Sequence, residues 1–191
     1  GTTTAGLYND NNVIANNNIY NFFISNNNAI GINIRRANAN WTIEGNSFYQ
    51  TVPRTFAAGG YFTAIFIDES SGGDNFIIRN NYIGGSAPLA GGSPWDMSGD
   101  ANRFEGIKIR VSTTVSSSID GNVIQNITQN SSAGSNVAGS SIFKGIYVMS
   151  GLVTIGTNSG NTIGSMTSSG SIVVNATTAA TGILPVIGIL E

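Results

Sequence analysis

The residues of this sequence that can do chemistry are limited in kind. Its 191 residues include no His and no Cys. That composition removes the Ser-His-Asp triad, His-ligated zinc, thiolate nucleophiles and disulfides. Ten Asp and Glu residues and eight Lys and Arg residues remain. The chemistry left open is therefore that of carboxylates and basic side chains.

One candidate binding residue is Trp95, in the loop GGSAPLAGGSPWDMSGDAN at positions 84–102. Its indole is suited to stacking on a sugar ring. Asp96 and Asp100 in the same loop could hold sugar hydroxyls. The alternative is that Trp95 folds back and covers apolar surface of the protein. The sequence leaves both readings open.

A second candidate surface combines aromatic and charged residues that recur at equivalent places of a repeated motif. These residues are Phe66, Asp68, Lys108, Arg110 and Tyr147. A single carboxylate flanked by Arg is a poor Ca²⁺ site, because Ca²⁺ takes six to eight oxygen ligands. Glycoside hydrolysis needs two carboxylates about 5–5.5 Å or 6.5–9.5 Å apart, and Asp68 has no acidic neighbour in the adjacent repeats. We expect no catalytic residue, metal ligand or cofactor here, and either a structural charge ladder or a site for an anionic sugar.

These placements depend on an internal repeat of two short motifs. The first, I-x-G/N-N-x-I/F, begins at positions 14, 43, 78 and 119, and a fifth copy at 155 carries a four-residue insertion. The second, typified by G-I-x-I, begins at positions 31, 64, 106 and 145, with further starts near 6 and 182. Most of the variation in repeat length falls after the first motif, so each repeat has a nearly fixed half and a variable half.

Apolar and polar residues alternate in both motifs with the two-residue period of a β-strand. Short strands that recur at near-constant spacing between Asn and Gly turns are typical of a parallel β-helix. The sequence predicts one all-β domain over residues 1–191, a single parallel β-helix (solenoid) of about five coils. The general preference for right-handed connections between parallel strands favours a right-handed β-helix. The repeated Ile positions would fill its core.

The Asn shared by all copies of the first motif receives a structural role in this fold. Equivalent residues of successive coils would lie about 4.8 Å apart, and Asn suits a bridging or left-handed backbone at a corner. Side-chain amides stacked in this way bond from coil to coil. The predicted structural ladder contains Asn17, Asn46, Asn81, Asn122 and Asn161.

Charged residues test this register, because they were not used to define it. Three outward columns alternate in sign: Arg35, Asp68, Arg110 and Met149 in the first, Glu44, Arg79 and Asp120 in the second, and Glu105 with Lys144 in the third. Directly opposed unlike charges stabilise a sheet by roughly 0.2–1 kcal/mol each. The alternation favours parallel, in-register stacking.

The two motifs together resemble the right-handed parallel β-helix repeat of pectate-lyase-like proteins, over nearly the whole chain. The segment VTIGTNSGNTIGSMTSSGSIVV at 153–174 is also similar to repeat regions of large secreted, surface-attached proteins of Bacteroidetes-type bacteria. In pectate-lyase-like enzymes a strand face carries clustered Asp for Ca²⁺ and a basic residue that abstracts a proton. The surface around Asp68 matches that face in position, but Asp68 is its only matching acid.

Composition and charge limit the kinds of binding partner that are expected. The net charge is −2, and basic residues cluster only at Arg35-Arg36 and at Lys108 with Arg110, so nucleic acid is not expected. The longest apolar run, at 182–190, is half the roughly 18 residues that a membrane helix needs, so no membrane insertion is expected. That apolar end is not a polar cap of the kind terminal repeats need. We therefore expect a fragment of a longer chain, or end-to-end self-association.

These observations favour a non-catalytic structural or adhesive segment of a secreted or cell-surface protein. Two alternatives remain open: a carbohydrate-active β-helix of the polysaccharide lyase or hydrolase kind, and a carbohydrate-binding module. A polysaccharide or another cell-surface ligand is the expected partner. The resemblance implies Ca²⁺ as the one possible bound ion, but the residues of this sequence do not indicate a Ca²⁺ site.

Overall fold

The protein is built almost entirely of parallel β-strands stacked in sheets. The structure, a computed structural model, describes residues 9–70, 72–133, 140–165, 167, 171–176 and 186–191. Within this part, 21 strands form five sheets, and every strand pairing is parallel. The predicted all-β, parallel-stranded class is confirmed, and the arrangement is consistent with a β-helix-like solenoid.

Successive repeats contribute strands to four of the sheets in turn. The first sheet contains β2 (Val13–Ala15), β6 (Thr42–Glu44), β10 (Ile77–Arg79), β14 (Ser117–Asp120) and β18 (Val153–Ile155). The second contains β3 (Asn18–Tyr20), β7 (Ser47–Tyr49), β11 (Tyr82–Ile83), β15 (Val123–Ile124) and β19 (Thr162–Ile163). The third contains β8 (Arg54–Phe56), β12 (Trp95–Gly99), β16 (Ile127–Ser131) and β20 (Ile172–Ala176). The fourth contains β4 (Ala29–Arg35), β9 (Gly60–Asp68), β13 (Asn102–Arg110), β17 (Phe143–Ser150) and β21 (Val186–Leu190). A smaller sheet pairs β1 (Asn9–Asp10) with β5 (Asn38–Ala39).

The register of the sheets follows the sequence repeat, and the core is built from the resulting columns. Ile107 lies between Ile65 and Ile146 in the fourth sheet, and all three side chains are fully buried. In the first sheet Ile78 lies between Ile43 and Ile119 in the same way. Burial of such aliphatic columns, at roughly 25 cal/mol per Å² of apolar surface, is the main driving force for this fold. The predicted inward columns are confirmed.

The predicted outermost repeats are only partly observable. The starts near 6 and 182 lie outside the described residues. In β21, however, Ile189 lies opposite Ile146. Gly188 therefore takes the place of Gly145, and the Gly-Ile pair that continues the column is the one at 188–189.

One outward column is also shifted relative to the prediction. A register shift between Ile109 and Arg110 places Ser150, not Met149, opposite Arg110. The prediction for Met149 was wrong because a β-bulge sets two residues of one strand against one of the other. A strict two-residue alternation cannot reveal such an insertion.

The predicted Asn ladder runs along the corner between the first and second sheets. The side-chain oxygen of Asn46 accepts hydrogen bonds from the backbone N and the Nδ2 of Asn17, both at 3.0 Å. The same pair of bonds links Asn46 to Asn81, Asn81 to Asn122, and Asn122 to Asn161, at 2.9–3.1 Å. Because the three middle members are fully buried, the ladder satisfies amides that water cannot reach.

In four of the five repeats the left-handed backbone at this corner belongs to the residue before the ladder Asn, namely Asn16, Gly45, Asn80 and Gly121, with φ between 54° and 65°. In the fifth repeat the positive φ, 72°, is that of Gly156, which comes before the inserted residues that precede Asn161. The prediction assigned the left-handed backbone to the ladder Asn itself, which is one residue too late. The G/N position of the motif now has its explanation, since Gly and Asn are the residues that adopt positive φ most readily.

A search of the described chain for an apolar helix of membrane-spanning length finds none.

Candidate functional site

The outward side of the fourth sheet concentrates positive charge. Its strands carry five of the eight basic residues and only two of the ten acids, namely Arg35, Arg103, Lys108, Arg110 and Lys144 with Asp68 and Glu105. We call this surface the basic face. It has a surplus of three positive charges on a chain whose net charge is −2.

Glu105 is the centre of a buried charge cluster on the basic face. Its Oε1 lies 2.9 Å from the Lys144 ammonium, and its Oε2 lies 3.0 Å from the Lys108 ammonium. The hydroxyl of Thr63 donates to Oε2 at 3.1 Å. The sequence predicted the Glu105–Lys144 pair but not its burial, which leaves Lys144 with 0% and Glu105 with 1% of the side chain exposed.

Burial and charge act in opposite directions on Lys144. Removal from water lowers the pKa of the Lys144 ammonium, while the attraction of Glu105 raises it, and burial is the larger effect. The second ammonium of the cluster, Lys108, lowers the pKa of Lys144 further. The carboxylate of Glu105 is therefore fully engaged in holding two cations within the protein.

The aromatic rings of the basic face are covered by the protein's own cations. The Phe66 ring lies between the Arg35 guanidinium, 4.7 Å from its centroid, and the Lys108 ammonium at 5.2 Å. Tyr147 has the Lys144 ammonium 4.8 Å from its centroid. These are cation–π distances. The rings of Phe66 and Tyr147, two members of the candidate binding surface, are thus already in contact with the protein's own cations.

Asp68 forms one ion pair rather than a three-membered column. Its Oδ1 lies 2.5 Å from the Nη2 of Arg110, whereas Arg35 lies over Phe66. The neighbouring acid, Glu69, turns away and accepts a hydrogen bond from Asn38 at 2.8 Å. Burial raises the pKa of Glu69. The two carboxylates thus do not converge on one substrate position.

The charge column of the first sheet has the predicted register and one predicted partner. Arg79 lies opposite both Glu44 and Asp120. Its Nε pairs with Glu44 at 2.6 Å, while Asp120 accepts a hydrogen bond from the side chain of Asn158 at 3.1 Å. This pair is partly exposed and is suited to surface stabilisation.

Trp95 belongs to the core. Its side chain is fully buried and makes edge-to-face contacts with Phe22, Phe62 and Phe104, with ring centroids 5.1–5.6 Å apart. Its indole therefore offers no surface to a sugar, and the packing alternative describes its position. Asp100 accepts hydrogen bonds from the Ala101 backbone and the Ser132 hydroxyl, and these bonds lower its pKa.

Sequence reasoning missed a polar cleft above the third sheet. Residues 50–53 of one repeat and Ser86, Ser93 and Pro94 of the next form its walls, and Asp96 and Thr128 line it from the strands. Apart from Asp96 and Val52, its residues are ordinary Ser, Thr, Gln and Pro types, which no motif marks. The position of the variable segments could have indicated the cleft, because segments that leave the same corner of successive repeats lie side by side.

No cluster of three or more potential metal-ligating side chains occurs among the residues that the structure describes. Comparison with protein-family models, with curated proteins and with solved structures finds no match to this chain.

Proposed function

We propose that this chain is a rigid, non-catalytic segment of a secreted or cell-surface protein, with a structural or adhesive role. In this proposal its stacked sheets form a single right-handed parallel β-helix of about five coils, similar to the pectate-lyase-like repeat. The observation that carries the proposal is the pairing of the charges on the basic face. Glu105 holds Lys144, Lys108 and Thr63, and Asp68 holds Arg110. A general acid or base needs access to the proton that it transfers, which such engaged carboxylates lack.

The Asn ladder supports a mechanical role for the segment. Its hydrogen bonds run from repeat to repeat and join Asn17 to Asn161 through three buried members. Bonds of this kind resist displacement of one repeat relative to the next, because each broken amide would stay buried without a partner. The resemblance of residues 153–174 to repeat regions of large bacterial surface proteins supports a location outside the cell.

We expect no turnover of polysaccharides by this chain. The experiment is incubation with neutral and acidic polysaccharides, with and without Ca²⁺, followed by assays for new reducing ends and for unsaturated products. Wild type and Asp68→Asn should both match the buffer control. Product formation that Asp68→Asn abolishes would contradict the proposal and favour the lyase or hydrolase alternative.

A second candidate function is binding of an anionic polysaccharide, and the charge of the basic face favours it. A surface with one sign of charge in excess attracts a polyanion in a salt-dependent way. The half-exposed Arg103 and the exposed Arg35 are the groups best placed to contact it. The partner would run across the strands, along the columns of cations.

This binding is expected to weaken several-fold in Arg103→Gln and in Arg35→Gln, and to decrease further as salt is added. Affinity electrophoresis in a gel containing a polyuronate would measure it. Arg79→Gln, on the first sheet, removes the same charge from another face and is the matched control. Equal retardation of all three variants would remove the basic face as the binding surface.

A further inference from the structure

The cleft above the third sheet has the dimensions of a small-ligand site. Its volume is about 350 Å³, within the range of roughly 300–1,000 Å³ found for such sites. Residues 50–53 of one repeat and Ser86, Ser93 and Pro94 of the next form its walls. Asp96 on β12 and Thr128 on β16 lie opposite each other in parallel register and both line the cleft.

Asp96 differs from the other acids of the described chain between Asp10 and Asp120. Each of the others accepts at least one hydrogen bond, and they are Asp10, Glu44, Asp68, Glu69, Asp74, Asp100, Glu105 and Asp120. Asp96 makes no hydrogen bond or ion pair with any described residue, and its Oδ1 is withdrawn from solvent. Such an uncompensated carboxylate oxygen is a cost to the folded chain unless another group supplies a donor.

The surroundings of Asp96 offer hydroxyl groups but no positive charge. Ser86, Ser93 and Thr128 line the cleft, and no Lys or Arg does. Both ends of the Gln50 amide are already engaged, since its nitrogen donates to the Phe22 carbonyl and its oxygen accepts from Arg54. The protein therefore provides hydrogen-bonding hydroxyls around a carboxylate and leaves the counter-charge to a ligand.

We propose that this cleft binds a small ligand that carries an ammonium group together with hydroxyls, of the amino-sugar class. The ammonium donates to Asp96, and such a charge-assisted bond is about twice as strong as one between neutral groups. The χ2 torsion of Asp is broad, so a modest rotation presents either oxygen to the ligand. The hydroxyls of Ser93 and Thr128, which make no hydrogen bond within the described chain, pair with the ligand's hydroxyls.

The test is calorimetric titration of the intact chain with glucosamine, N-acetylglucosamine and glucose. Glucosamine is expected to bind saturably, and the two sugars without an ammonium group about tenfold more weakly or not at all. Asp96→Asn, which keeps the shape and removes the charge, should weaken glucosamine binding by about the same factor. Asp100→Asn removes an acid outside the cleft and should leave the affinity unchanged.

Three results would overturn the proposal. They are the absence of saturation at millimolar glucosamine, equal affinity in wild type and Asp96→Asn, and N-acetylglucosamine binding as tightly as glucosamine. The melting temperature of Asp96→Asn without ligand is a separate check. It should equal or exceed that of wild type, because an unpaired charge has been removed, and a marked decrease would assign Asp96 a structural role instead. Thr128→Val, at the neighbouring strand position, should also weaken binding while the fold persists.

Discussion

Replacing Asn81 by alanine should lower the free energy of unfolding by about 3–5 kcal/mol. The Asn81 oxygen accepts from the backbone N and the Nδ2 of Asn46, and its Nδ2 donates to Asn122 and to the Ile43 carbonyl. Asn81 is fully buried, so water cannot replace these partners. Each buried polar group left unpaired costs about 1–3 kcal/mol, and the substitution leaves several. Urea unfolding followed by circular dichroism would measure the loss.

The matched control for Asn81→Ala is Asn80→Gly at the preceding position. Asn80 has a φ of 54°, and Gly45 and Gly121 hold the equivalent places in the adjacent repeats with φ of 64° and 65°. Glycine adopts this backbone without steric cost, so the change in stability should stay within about 1 kcal/mol. If both variants lost the same stability, the ladder would contribute no more than any Asn at this corner.

The repeated positions of this fold could be predicted because the repeat itself assigns their neighbours. Once the motif copies are aligned, Ile107 must lie between Ile65 and Ile146, and Asn122 must follow Asn81, since parallel strands in register place equivalent residues opposite each other. The observed pairings are these. Alternation with period two then decides which residues face the core.

Positions outside the repeat could not be predicted in the same way. Trp95 follows an insertion that has no counterpart in neighbouring repeats, so no column constrained its direction. Glu105 was placed beside Lys144 correctly, but its burial depends on how Lys108, three residues later in the same strand, folds back to it. The alignment of the repeats predicts which residues lie next to each other in a sheet. It does not predict which side chains bury them.

The cleft around Asp96 illustrates the same limit for a site. Its walls come from segments of unequal length in two repeats, so no common register relates their residues. Thr51 and Ser93 line the same cleft only in the folded structure. That Asp96 has no hydrogen-bond partner among the described residues likewise depends on its three-dimensional surroundings, because residues close to it in the sequence carry hydroxyl groups that could have served.

Replacing Glu105 by glutamine should also lower the free energy of unfolding by about 3–5 kcal/mol, the range found when one partner of a buried ion pair is removed. The amide keeps the size of the carboxylate but no longer compensates the ammonium groups of Lys144 and Lys108, which lie 2.9 and 3.0 Å from its oxygens. The buried ammonium of Lys144 would then lose the attraction of the Glu105 carboxylate. The midpoint of urea unfolding would report the loss.

Two comparisons separate charge from packing at Glu105. Glu44→Gln breaks a pair whose side chains are 31% and 51% exposed, so it should cost at most about 1 kcal/mol. The double variant Glu105→Leu/Lys144→Met replaces the buried pair by apolar groups of similar size. It should recover most of the stability lost in Glu105→Gln, because such replacements are often neutral or stabilising. A double variant as unstable as Glu105→Gln would show that the pair is needed for its shape.

The pH dependence of Glu105→Gln provides the decisive measurement. Because burial lowers the pKa of Lys144 in the folded protein, the unfolded chain binds more protons between that lowered pKa and the ordinary value for lysine. Stability therefore rises with pH across this window. Loss of Glu105 removes the attraction that opposes burial, which lowers the pKa of Lys144 further and extends the window toward neutral pH. The deficit of the variant should shrink as the pH is raised from neutral to about 10. A deficit that is constant over that range would assign the loss to packing around residue 105 and not to the lost attraction between Glu105 and Lys144.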